Sequence, residues 1–389
     1  MIDFQKKLSN LKEKGLYRQR LLLDSAQDTV VTIDKIKYLN FASNNYLNLA
    51  NNKKLKKSLS DNTSEFGIGS SSSPLISGYN KKHMQLEKKI AKLLRFESVL
   101  VVNSGYLANI GLINAIGDKD IIVFQDKLNH SSIIESSRLS SVKLIRYNHL
   151  DYHDLEKKLK KYKKSTKIIY TDTIFSMTGE IIDIKRLSKI SEGNDALLFV
   201  DDAHGFGVAQ YCNNDFPCSR NIKKFKGAKI DAYIGTFGKA IGTFGAFIAG
   251  SNELINLMVQ KSRPYIYSTA LPTALVATTI ESINIIKSKP QLVNKLYENI
   301  KYFKKLVKFN NININESNTA IQTITIGDPI TVVDICKKIK KENILVQAIR
   351  YPTVPINNDL IRVNLTSGHT KKQIQSLVQS LKKIIGAAI

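Results

Sequence analysis

The sequence predicts an α/β fold built on a mostly parallel central sheet, and three observations carry that prediction. Short apolar runs alternate with stretches of helical periodicity through the middle of the chain. Two of those runs, KIIYTDTIF (167–175) and ALLFVDDAH (196–204), are apolar almost throughout. That is the mark of a strand covered on both faces. Several runs then end in polar or glycine-rich turns, where strands of such sheets open onto a ligand crevice.

Taken in order, the first 45 residues read as a helix followed by a small strand unit ending at YLNFASNNYL. SVLVVNS (98–104) reads as a strand, and GYLANIGLINAI as a helix that starts at Gly105. IIVFQD (121–126) and VKLIRYNH (142–149) are further strands, the second followed by the charged helix DLEKKLKKYKKS. After the two buried runs, DAYIGTF (231–237) and GAFIAGS (245–251) complete the series. A long helix, PTALVATTIESINIIKS, leads from about Pro272 into a smaller terminal region that mixes helices with strands such as AIQTITIG. The predicted division is an N-terminal unit (1–45), a large α/β domain (46–275) and a small α+β C-terminal domain (276–389).

Composition limits the function classes. The chain has 389 residues and an apolar fraction of 43%, ordinary for a folded protein. It has no apolar run of about 18 residues that could span a bilayer, and MIDFQKKLSN lacks the apolar core of a signal segment. The expectation is a cytoplasmic protein. Cys212, Cys218 and Cys336 have spacings that suit neither a disulfide framework nor a tetrahedral metal site, so no metal is expected. The formal charge of +25 raises nucleic-acid binding. Yet only ten of the 58 basic residues are arginine, and the lysines are scattered over helix faces without interleaved aromatics. No nucleic acid is therefore expected, though an acidic partner protein would suit the surface.

Four strand ends carry residues suited to chemistry. NSGYLAN opens a helix with small residues and backbone N–H groups, a seat for phosphate. DKLNHSS puts His130 just after a strand, FVDDAHGFG ends one with Asp201, Asp202 and His204, and TFGKAIGTFG ends another with Lys239 in a glycine-rich turn. Each alone is weak: a lone lysine near glycine is usually solvated, and a carboxylate after a strand is usually a cap. Neither G-x-G-x-x-G after the first strand nor a P-loop string occurs. The set and its order carry the signal, with Lys239 following Asp201 by 38 residues. Pyridoxal phosphate needs such a set: an amine for its aldehyde, a carboxylate to keep its pyridine nitrogen protonated, donors for its phosphate and a flat partner for its ring. The carboxylate's burial is tolerable because it is paired.

The chain resembles the α-oxoamine synthases, a branch of the fold-type I (aspartate aminotransferase-like) pyridoxal-phosphate transferases. The resemblance runs from about Leu16 to Leu381, through YLNFASNNYLNL, FGIGSSSSPLISGY, HMQLEKKIA, NSGYLAN, DKLNHSSIIE, FSMTGE, VDDAHGFG, TFGKAIGTFGA, YIYSTALP, TAIQ, VQAIRYPTVP and RVNLTSGHT. It implies that Lys239 carries the cofactor and serves as base, that Asp201 pairs the pyridine nitrogen, and that His130 stacks on the ring. It sets His204 and Ser176 near the ring's phenolic oxygen, and Gly105, Tyr106 and Thr236 at the phosphate. It assigns Arg18, Asn44, His130, Thr353 and Arg362 to substrate, Arg362 holding the amino-acid carboxylate as a bidentate guanidinium can. Two bland readings stay open: Ser176 as a turn residue and Arg18 as a surface residue. His149, His153 and His369 read as structural, and His83 as a cap or packing residue.

TFGK, AIQ and AIRYPTVP lean toward the biotin-pathway branch of the family. That branch implies condensation of L-alanine with a pimeloyl thioester, on acyl carrier protein or coenzyme A. YSTALP matches a segment that reaches the neighbouring subunit's phosphate site, implying a homodimer. The alternatives are glycine C-acetyltransferase, a relative using a longer acyl chain and, from another class, a non-catalytic basic binding protein. The family commonly has Asp at Asn45, Gly at Asn48, Asp at Thr178 and Pro at Thr273, and here a run of four serines precedes Pro74. The serine run lies where the acyl chain enters in the family.

Overall fold

The structure is a computed structural model that describes residues 2–209, 216–218, 227–310 and 312–385. It divides into two compact units. One comprises residues 1–51, 176–180 and 291–389, the other residues 52–175 and 181–290.

A seven-stranded sheet forms the centre of the larger unit. Across it the strands run Ser98–Val102, Ala246–Gly250, Ala232–Thr236, Ala196–Asp201, Thr166–Asp172, Ile121–Asp126 and Lys143–Tyr147. Ala246–Gly250 is antiparallel to both neighbours, and the other ladders are parallel. The mostly parallel sheet expected from the apolar runs is thus present, and Ile168, Tyr170, Leu198, Phe199, Ile234 and Phe247 are each at most 1% exposed. Parallel pairing puts Asp126, Asp172, Asp201 and Thr236 at carboxyl ends on one edge of the sheet, the edge at which ligands collect in such folds.

Helix starts in this unit obey local chemistry. Ser104, Asp151, Asp183 and Ser251 each cap a helix by accepting a backbone N–H. Asn80 and His83 form a reciprocal capping box, and His83 Nε2 lies 2.9 Å from Leu271 O. The serine run is tied to the same segment: Ser70 donates to Leu271 O at 2.7 Å, and Ala270 N donates to Ser72 O at 2.9 Å.

Glu87, on the helix Lys81–Leu94, accepts from Val101 N at 3.0 Å and from Tyr79 OH at 2.5 Å. Burial pushes its carboxyl up to about 7, against the two hydrogen bonds that lower it. A carboxyl raised by folding favours the native state most when protonated. Stability from this group is therefore full below about 4.5, the ordinary value, and is lost as pH rises through about 7. The shift corresponds to up to about 3 kcal/mol. Glu87→Gln is expected to gain stability over the wild type at pH 8 and little at pH 5, measured by urea unfolding at both. Equal differences at the two pH values would contradict the assignment.

The smaller unit carries two three-stranded sheets. Val30–Ile33 and Ile36–Asn40 form a hairpin, and Ile344–Leu345 pairs parallel to the second strand. The turn between Ile33 and Ile36 is Asp34–Lys35, both at positive φ (49° and 65°), the backbone of a two-residue hairpin turn. Ile321–Thr325, Leu360–Asn364 and Gln347–Ile349 form the other sheet. Helices Gln291–Phe309, Pro329–Lys341 and Lys371–Ile385 contribute Leu296, Phe303, Ile335 and Leu377 to its buried interior. Asn48 stands at φ 54°, the left-handed region where glycine is the usual choice and asparagine is tolerated. Asparagine is therefore compatible with the backbone at this position, where the resemblance implies glycine.

Cys218 and Cys336 form no disulfide among the described residues, and Cys212 lies outside them. Among the described residues no cluster of side chains could hold a metal ion, and no helix is long and apolar enough to cross a membrane.

Candidate active site

In the larger unit, the sequence-marked residues converge at the carboxyl edge of the sheet. Successive residues of an extended chain point to opposite sides, so Asp201 and Asp202 part company. Asp202 is consumed by the hydroxyls of Thr173 and Tyr233. Asp201 turns the other way, 4% exposed, with Oδ1 accepting from Ala203 N at 2.9 Å and Oδ2 from Asn109 Nδ2 at 2.8 Å. Asp172, its register partner on the neighbouring strand, is also buried. Burial first, and the charge of Asp201 second, hold the Asp172 carboxyl well above the ordinary carboxylate range.

Lys239 follows the strand Ala232–Thr236 in a turn closed by Gly242 N donating to Lys239 O at 3.1 Å and Thr243 N to Phe237 O at 2.9 Å. Gly242 and Gly245 both take positive φ there (72° and 105°), and a Cβ on Gly245 would stand 2.6 Å from Leu271 Cδ1. The turn therefore requires glycine at 245 on two counts. It delivers Lys239 Nζ to 2.8 Å from His204 Nε2.

His130 caps the helix Ser131–Arg138. Its backbone N donates to Asp172 Oδ2 at 2.7 Å, and its Nδ1 lies 2.7 Å from Ser132 Oγ. Burial, and then Lys239, hold its imidazole below the ordinary value, against the opposite pull of Asp201. Gly105 opens the helix Gly105–Ile116, and the nearest atom to the place of its missing Cβ is Thr236 Cβ at 4.0 Å. An anion can thus approach the backbone N–H groups of this helix start beside a threonine side chain. The Thr236 hydroxyl itself donates to Gly245 O at 3.0 Å, and Tyr106 is 44% exposed.

This donor set fits pyridoxal phosphate. Lys239 offers the amine, Asp201 a buried anionic acceptor for a ring N–H, His130 a flat side chain, and Gly105 with Thr236 the phosphate seat.

The remaining marked residues belong to the smaller unit. Arg362 is 3% exposed; its Nη1 donates to Gln347 Oε1 and its Nη2 to Asn44 Oδ1, each at 3.1 Å. Asn44 Oδ1 also accepts from Asn364 Nδ2 at 3.2 Å and Tyr46 OH at 3.1 Å. Burial lowers the Arg362 pKa and pushes the Tyr46 phenol up to about 12. Arg362 Nε is buried without a hydrogen-bond partner, and among the described residues no carboxylate forms an ion pair with the guanidinium. Ser176 is buried, whereas Arg18 and Thr353 are exposed. His369 stacks on Phe41 at 4.1 Å and binds Asn40 O, a structural role.

Sequence reading missed Asn109, Ser132 and Asp172. Asn109 was detectable as the polar residue one turn into the apolar helix GYLANIGLINAI, and Asp172 as a second carboxylate closing an apolar strand.

A sequence model of the class I and II aminotransferase family matches residues 36–381. The chain is 38% identical to the 8-amino-7-oxononanoate synthase of Thermoanaerobacter pseudethanolicus, over 98% of this chain and 97% of the relative. It is 36% identical to that of Hahella chejuensis, over 98% and 95%. Among solved structures, serine palmitoyltransferase from S. paucimobilis superposes with a TM-score of 0.92 over 99% of this chain and 97% of its own, at 22% identity, a likeness of fold. An 8-amino-7-oxononanoate synthase from Francisella tularensis superposes at 0.77, with 26% identity, over 90% of this chain and 98% of its own.

Proposed function

Because the chain belongs to the class I and II aminotransferase family and, within it, to the 8-amino-7-oxononanoate synthases, we propose that it joins L-alanine to a pimeloyl thioester, releasing the thiol and carbon dioxide. The observation that carries this reading is the pairing of an amine and a buried carboxylate on neighbouring strand ends, Lys239 beside His204 and Asp201 beside Asn109.

Pyridoxal phosphate, when bound, supplies an electron sink for the charge that develops on the alanine α-carbon. The chain's residues do the rest. Lys239 would be the attachment point for the cofactor's aldehyde, and its free amine would be the base for the α-proton. His204 Nε2, 2.8 Å away, is in reach to exchange a proton with that amine. Asp201 keeps a proton on the ring nitrogen, and its burial strengthens the attraction. His130 covers the ring, and Ser176 serves its phenolic oxygen. Gly105, Tyr106 and Thr236 hold the phosphate. Arg362, oriented by Asn44 and Gln347, is a buried cation without a carboxylate partner among the described residues, which suits it to the carboxylate of alanine. Arg18 and Thr353 contact substrate from exposed positions. A cytoplasmic homodimer completes the reading, the YSTALP segment (267–272) of one copy serving the phosphate seat of the other.

Arg362→Lys is expected to raise the apparent KM for L-alanine by about 10- to 100-fold, the scale of a charge-assisted hydrogen bond, and to leave cofactor absorbance unchanged. An unchanged KM would remove Arg362 from substrate binding. The function itself is tested by following thiol release with L-alanine and pimeloyl-coenzyme A, and then with glycine and acetyl-coenzyme A. Turnover with the first pair alone supports the reading. Preference for the second moves the chain to the acetyltransferases.

A further inference from the structure

Asn109 is fully buried, and its three side-chain contacts have only one consistent assignment. The amide nitrogen is its only donor, so that nitrogen faces Asp201 Oδ2 at 2.8 Å. The second N–H of the same nitrogen reaches Ser132 Oγ at 2.7 Å. The amide oxygen then faces the Tyr170 hydroxyl, which must donate to it. Ser132 Oγ accepts from Asn109 and lies 2.7 Å from His130 Nδ1, with its own proton available to that nitrogen. The same Nδ1 also receives the Ser132 backbone N–H at 3.3 Å. Nδ1, accepting that backbone N–H, is the unprotonated nitrogen, so the hydroxyl donates to it.

From this one-directional chain we infer that Asn109 is a positioning residue that sets the tautomer of His130, holding the ring proton on Nε2 through Ser132, while its other N–H holds Asp201. One amide thus orients both the ring-covering histidine and the carboxylate, two groups that neither touch in sequence nor share an element. The charged groups around His130 are Asp172, which takes its backbone N–H, Lys239, which with burial disfavours the charged imidazole, and Asp201, which pulls the other way. The consequence for cofactor binding rests on the function proposed above; the tautomer does not.

The test is nitrogen NMR on protein labelled with ¹⁵N-histidine, used as purified, with cofactor content read from visible absorbance in the same samples. Of the six histidines, His130 is assigned by the signal lost in His130→Gln. The wild type is expected to show a bare Nδ1 and a protonated Nε2. Ser132→Ala removes the hydroxyl, and Asn109→Asp replaces the amide donor by an acceptor, turning that hydroxyl round. In each, the two nitrogen shifts are expected to move toward each other as both tautomers become populated. A wild-type His130 protonated on Nδ1, or a tautomer unchanged in Ser132→Ala, overturns the inference. Ser132→Ala decides alone should a third buried carboxylate prevent Asn109→Asp from folding. A colourless protein with the expected tautomer would sink the cofactor reading and leave this one standing.

Discussion

Lys239→Ala is expected to lower the turnover of L-alanine and a pimeloyl thioester by at least about 10⁴-fold, the scale on which losing a group that serves as both attachment point and base acts. The amine has no understudy. His204 is 2.8 Å away but offers an imidazole, which cannot form the same covalent link. Lys127 also follows a strand at this edge, but its Nζ donates to Asn148 Oδ1 at 2.7 Å. The fold should survive, because Lys239 is only half-buried in a turn held by backbone hydrogen bonds. Steady-state thiol release checks the activity, and urea unfolding checks the fold. A loss of less than about 100-fold would mean that another group does the work.

Asp201→Asn is expected to cost about 10²- to 10³-fold in turnover, the range for removing one preorganised charge or donor from a buried site. The substitution nearly preserves shape, so the effect isolates charge. Its structural consequences pull in opposite directions. Two donors, Ala203 N and Asn109 Nδ2, now compete for one oxygen, and an unmet buried donor costs about 1–3 kcal/mol. Against that, Asp172 loses the buried negative neighbour that helps to raise its carboxyl. Stability is therefore expected to change by less than activity does, and the Asp172 carboxyl to move back toward its ordinary range. Activity within tenfold of the wild type would show that the ring nitrogen needs no anion here.

Much of this was legible because parallel strands announce themselves. A run such as ALLFVDDAH is apolar on both faces for a physical reason, and its first polar residue marks the sheet edge where ligands gather. Such edges single out Asp201, His204 and Lys239 from the sequence alone. Asn109 stands out locally as a polar residue in an apolar helix, but its role lies in contacts 92 residues away at Asp201 and 61 residues away at Tyr170, which no local pattern encodes. Asp172 escaped because a lone carboxylate at a strand end reads as a cap until its register partner is known. The parallel pairing of residues 39–40 with 344–345 is equally silent, since two residues carry no periodicity. Nor does Asp34–Lys35 resemble the Asn-Gly turn that usually signals such a hairpin.

The account rests on Lys239 as the covalent seat of pyridoxal phosphate, and the most direct measurement is borohydride reduction of the cofactor-loaded protein followed by peptide mass mapping. With 58 lysines and arginines and a formal charge of +25, non-specific labelling would scatter over the surface. The expected result is one phosphopyridoxyl group per chain, on the peptide containing Lys239, and none in Lys239→Ala. Label spread over surface lysines, or unaltered by that substitution, would contradict the account.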